Sequence, residues 1–77
     1  MNNERRKALR MVITRLEEAR SRLDDVAADE HEAFDNMPEG LQMSERGEAM
    51  EEGIDTLDES LDGIDEIIEN LEGLVES

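Results

Sequence analysis

Residues 51–77 read EEGIDTLDESLDGIDEIIENLEGLVES. Ile54, Leu57, Leu61, Ile64, Ile68, Leu71 and Val75 recur there at alternating spacings of 3 and 4. This is the a/d period of a helix that packs one face against another helix. The same stretch holds eleven acids and no base. Seven like-charged pairs stand four residues apart: Glu48–Glu52, Glu51–Asp55, Asp55–Glu59, Asp58–Asp62, Asp62–Glu66, Asp65–Glu69 and Glu72–Glu76. Each costs an isolated helix roughly 0.2–0.5 kcal/mol. Gly53, Gly63 and Gly73 each cost about 1 kcal/mol relative to Ala. A helix so burdened needs a partner surface.

The first half of the chain supplies one. Leu9, Leu16 and Leu23 form an a row, and Val12, Ala19, Val26 and Ala33 a d row. Ile13, Ala27 and Phe34 add an e row, and Glu30 breaks the a row near its end. This is the wide stripe of a bundle helix. No Gly or Pro falls within residues 1–35, so one helix is expected over about residues 3–34. DNMPEGLQMSERGE follows, with Asn36, Pro38 and Gly40 as turn formers. Pro38 can open a short helical turn. Ser44 suits an N-cap and Glu45 the first turn of the next helix. The expected corner is 35–44, with Leu41 and Met43 tucked beneath it. The second helix is expected over about 45–75, with Met50, Ile54, Leu57, Leu61, Ile64, Ile68, Leu71 and Val75 facing the first.

Two long helices and a short corner predict an all-α, single-domain antiparallel hairpin of coiled-coil type over residues 1–77. The expected core on helix 1 is Leu9, Ile13, Leu16, Leu23 and Phe34. The e row of helix 1 and a g row of helix 2, Ile67 and Leu74, exceed what one partner helix can cover. They predict dimerisation into a four-helix bundle. A lone hairpin completed by a different protein is the competing arrangement.

Charge supports the antiparallel pairing. The chain has 77 residues and a formal net charge of −15. Residues 1–22 carry seven bases against three acids, and residues 23–77 carry Arg46 alone against twenty acids. In a hairpin the basic start lies beside the acidic end, whereas parallel self-pairing of helix 2 stacks acid on acid. The acidic balance disfavours direct binding to nucleic acid or anionic membrane and favours a protein partner with a basic surface. No apolar run approaches the ~20 residues of a membrane span, and the basic start lacks the apolar core of a secretory signal. The expected location is the bacterial cytoplasm.

Residues able to do covalent chemistry are scarce. There is no Cys or Tyr, one His and one Lys. A metal reading of His31 would enlist Glu32, Asp35 or Glu48. The di-iron pattern needs Glu three residues before the His, where Ala28 stands. Asp55, Asp58, Glu59 and Asp62 match a calcium loop in composition only, since their heptad spacing makes them a helix face. Nucleotide loops and catalytic triads are absent. The expectation is a non-enzymatic protein without a cofactor or resident metal. The glycines of helix 2, Gly47 included, are either tolerated at exposed positions or placed where another backbone approaches closely.

The stretch DEHEAFDNMPEGLQMSERGEAMEEGIDTLDESLDGIDEIIENLEGL resembles short, acidic helical proteins encoded by phages, prophages and their bacterial hosts. Their pattern is a basic opening, an EAFDN-P-LQ-SERGE corner and AIDxLEEA-like heptads. The similarity covers most of residues 29–72, and Phe34 to Glu48 is its specific part. Gly53 stands where these proteins usually have Ala. No activity transfers with the likeness. It implies a mobile-element setting, where small acidic proteins mimic DNA and block host nucleases.

Together these readings predict an acidic protein-interaction module. It binds, and by this reading inhibits, a basic host protein such as a nucleic-acid-binding defence enzyme. The expected partner-binding acids are Glu48, Glu51, Glu52, Asp55, Asp58, Glu59, Asp62, Asp65 and Glu66. The alternative is a structural or accessory coiled-coil protein of a phage or host assembly.

Overall fold

The computed structural model describes residues 1–77. Helix α1 spans Asn3–Asp35, a single-turn helix α2 spans Glu39–Gln42, and helix α3 spans Glu45–Glu76. There is no strand, and no helix is long and apolar enough to cross a membrane. α1 and α3 lie antiparallel along a rod of 58 × 15 × 13 Å. Arg6 donates to the Ser77 carbonyl at one end, Arg20 to Asp65 mid-way, and His31 meets Asp58 towards the corner.

Side chains close the helix ends. Asn2 accepts from the Arg5 amide at 2.8 Å and caps α1. The Asn36 amide, just beyond the helix, donates to the Glu32 carbonyl at 3.0 Å. Ser44 caps α3 by accepting from the Gly47 amide at 3.3 Å. These bonds satisfy backbone groups that a helix end leaves unpaired.

The corner packs through polar and backbone groups. The Leu41 and Gln42 amides donate to the Pro38 carbonyl, which winds α2. The Gln42 amide side chain donates to the Phe34 carbonyl at 2.8 Å. With Gln42 turned inward, Leu41 and Met43 face outward, and Met43 is 76 % exposed. The expectation that both tuck beneath the corner is thus corrected. Phe34 and Met37 are half-buried there instead.

Gly47 holds the corner against α3. It is buried, and a Cβ at this position would overlap the carbonyl oxygens of Gln42 and Leu41. Only a residue without a side chain lets the two backbones approach so closely. Gly53, Gly63 and Gly73 face open space, so the two readings of the glycines divide between positions.

The seam of α3 follows its text. Ile54, Leu61 and Ile68 are buried, and Met50, Leu57, Ile64, Leu71 and Val75 are half-buried. The seam of α1 is Leu9, Ile13, Leu16, Arg20, Leu23, Ala27, Glu30 and Phe34, of which Ile13 and Ala27 are buried and the others half-buried. This corrects the register expected for helix 1. The row left over is Val12, Ala19, Val26 and Ala33, and the row with Ile13, Ala27 and Phe34 turns inward. Ile13 and Phe34 bring more apolar area to the seam than Val12 and Ala33. The same roll swings Arg20 within reach of Asp65.

Candidate functional site

The seam leaves the hairpin with two long flanks and an outer side on each helix. One flank is charged: Arg10, Glu17, Asp24 and His31 of α1 run beside Glu51, Asp58, Asp65 and Glu72 of α3. The opposite flank carries Val12, Ala19, Val26 and Ala33 of α1 beside Gly53, Ser60, Ile67 and Leu74 of α3, with Arg5 and Arg46 at its ends. It has no acid along its length.

All thirteen acids of α3 are exposed. Besides the flank row, Glu48, Asp55, Asp62, Glu69 and Glu76 form a second row, and Glu45, Glu52, Glu59 and Glu66 a third. Within a row the acids recur every seven residues, about 10.5 Å. The three adjacent rows make one band along the side of α3 away from the apolar flank. Thirteen carboxylates between Glu45 and Glu76 give about one charge per 3.6 Å of axis. One strand of duplex DNA carries one per ~3.4 Å, and the whole duplex one per ~1.7 Å.

Of the acids expected to bind a partner, two are engaged within the hairpin. Arg20 forms a two-pronged contact with Asp65, Nε donating to Oδ1 at 2.9 Å and Nη2 to Oδ2 at 3.1 Å. Asp24 lies 3.8 Å from the same guanidinium. The Arg20 pKa is raised above the ordinary arginine value. The hydrogen bonds to Asp65 contribute most, then the charge of Asp65; partial desolvation opposes them, and Asp24 and Asp62 add less. A base raised in this way stabilises the fold at every pH below its ordinary value and ceases to do so only in strongly alkaline solution.

His31 Nε2 lies 3.1 Å from Asp58. Glu32, Asp35 and Glu48 are not its partners, and nowhere do three metal-ligating side chains converge. The remaining expected acids, Glu48, Glu51, Glu52, Asp55, Glu59, Asp62 and Glu66, have no base within ion-pairing distance. The basic start of α1 reaches the end of α3 through the Arg6 bond to the Ser77 carbonyl, while Arg10 lines a shallow groove with Glu72 and Glu76. Arg15 pairs with Glu18 of its own helix at 3.5 Å.

The acid-free flank escaped the sequence reading in its α1 half. Rolling α1 by one row separates the expected assignment from the observed one, and three apolar rows competed for the seam. The usable signal was Arg20: its row can enter the seam only if an acid of α3 stands opposite.

Compared with known proteins, the chain matches no family model, no curated protein and no solved structure.

Proposed function

We propose that this chain is a non-enzymatic recognition module that docks the acidic band of α3 onto a basic protein surface. The observation that carries this reading is the band itself: three adjacent rows of exposed carboxylates on one helix, most of them without an internal counter-charge. Clustering them costs helix stability through seven like-charged pairs, and a surface that opposes its own fold points to a use outside it. Binding of this kind is fast, steered by charge and weakened by salt.

The more specific form of the proposal is a DNA-mimic inhibitor acting in the cytoplasm of a bacterial host. One carboxylate per ~3.6 Å matches the charge spacing of a single strand, so the band suits a groove that tracks one backbone of a nucleic acid. The likeness to phage-encoded acidic proteins agrees with that setting. The hairpin is proposed to act as a four-helix dimer, which leaves the band on the outside.

The test is capture of basic proteins from bacterial lysate on the immobilised chain and on a variant with Glu48, Asp55, Asp62 and Glu69 changed to Lys, exposed acids of one row that make no ion pair. Asp58 and Asp65 are left alone because reversing them would also break the His31 and Arg20 contacts. The expected result is a nucleic-acid-binding protein retained by the native chain, released by duplex DNA and not held by the variant. Equal retention by the variant overturns the proposal. Retention that duplex DNA does not compete away overturns the mimic form alone.

A further inference from the structure

We infer that the acid-free flank is where a second copy of this chain docks, with the two copies side by side and their corners at the same end. The inference rests on the proposal that the chain self-associates, and adds to it the face and the orientation.

Exposed area is the first observation. A compact protein of 8.7 kDa exposes about 4,700 Å², and this hairpin exposes 5889 Å². The excess, roughly 1,200 Å², is more than the ~800 Å² each partner contributes to a standard stable interface. No side chain of the hairpin is fully buried, so a single copy has a seam without an interior.

Placement is the second. Eight large apolar side chains are exposed. Val12, Val26, Ile67 and Leu74 lie on this flank, and Met1 and Leu41 extend it at either end. Two shallow apolar grooves sit on it as well. One, of about 340 Å³, lies at the open end between Val12 and Leu74, and the other, of about 300 Å³, lies at the corner between Ala33 and Met50. Small residues, Ala19 and Ser60 in the middle and Ala33 and Gly53 nearer the corner, let a second pair of helices approach closely.

Charge selects the orientation. Two-fold pairing on this flank can place α1 over the partner copy's α1 and α3 over its α3, or α1 over α3 in both directions. The first brings two acidic helices together. The second sets the exposed Arg15 and Arg22 of each copy towards the Glu59 and Glu66 row of the other. Every neighbouring helix pair is antiparallel in either arrangement, as in an up-down-up-down bundle, so charge decides between them. Only a two-fold axis along the rod produces the second arrangement, and that axis brings the corners together.

The chain has no Cys, so a spin label at Glu39→Cys, on the exposed corner, is unique. Sedimentation equilibrium should show a dimer. Electron–electron resonance should then report a label separation on the order of 20–30 Å, about two helix diameters. A separation near the 58 Å length of the rod overturns the orientation. Ile67→Glu should raise the dimer dissociation constant by about a hundredfold or more, because it buries unpaired charge at the interface. Circular dichroism must show that the variant keeps its helices; should it unfold, the milder Arg22→Ala should weaken the dimer in its place. A dimer unchanged by both substitutions overturns the face. A monomeric native chain overturns the whole inference and the self-association proposal. The acidic-band proposal, tested by lysate capture, stands or falls separately.

Discussion

The two long flanks of the hairpin share one geometry and have opposite chemistry. On the charged flank Arg20 grips Asp65 and His31 meets Asp58, so polar groups find partners within the chain. On the other, Val12, Val26, Ile67 and Leu74 stay about half exposed and find none. The difference teaches that a two-helix rod can satisfy its seam and one flank, and is left with a second flank whose burial needs another molecule. The acidic band shares one row with the charged flank, and its other two rows lie outside both flanks, without an ion-pairing partner in the chain.

The seam is what both flanks depend on, and damage there has the largest effect. Leu61 is 7 % exposed. Leu61→Asp places an unpaired charge in the seam at a cost of several kcal/mol, and the cooperative helical signal in circular dichroism should vanish at 25 °C. A variant that stays helical but becomes monomeric would mean that Leu61 serves assembly more than the hairpin.

The corner sets the register in which the flanks line up. Gly47→Ala forces a Cβ against the Leu41 and Gln42 carbonyls and should cost about 1–3 kcal/mol, as overpacking does. Gly73→Ala meets nothing within 4 Å and should stabilise the helix by up to about 1 kcal/mol. Chemical denaturation of the two variants should therefore give shifts of opposite sign. Equal signs would show that the corner relaxes freely and does not fix the register.

A sharper separation of the flanks comes from Arg20→Met. It keeps an apolar stem in the seam but removes both hydrogen bonds to Asp65. The melting temperature should fall, by less than for Gly47→Ala, while the sedimentation profile stays that of the native chain. Ile67→Glu should show the reverse emphasis, with assembly lost first. If Arg20→Met changed the assembly state as strongly, the flanks would not be functionally distinct.

The smallest effect is that of salt. Seven like-charged pairs on the acidic helix outnumber the one arginine–carboxylate ion pair between the long helices, Arg20–Asp65. Raising ionic strength from about 10 mM to about 0.5 M shortens the screening length several-fold, so the melting temperature should rise. A fall would show that the charged flank outweighs the repulsion along the band.

Much of this molecule was determined by its sequence alone. Alternating 3 and 4 spacings from Ile54 to Val75 leave α3 a single apolar face, so its seam, its acidic outer side and the need for a partner helix follow directly. Pro38, Ser44 and the absence of Gly and Pro before residue 36 locate the corner and the second cap, because these residues act on the backbone within a turn of themselves. The tertiary structure decided the rest. Three apolar rows on α1 competed for one seam, and only packing against α3, with Arg20 meeting Asp65, chose the rows of Leu9 and Ile13 and left Val12 outside. Gln42 turned inward to the Phe34 carbonyl and sent Leu41 and Met43 outward, and Gly47 became the contact point of corner and helix. Each of these depends on what stands across the hairpin, tens of residues away in the chain. Periodicity reports which faces of a helix are apolar; how far the helix rolls to use one of them is a property of the pair.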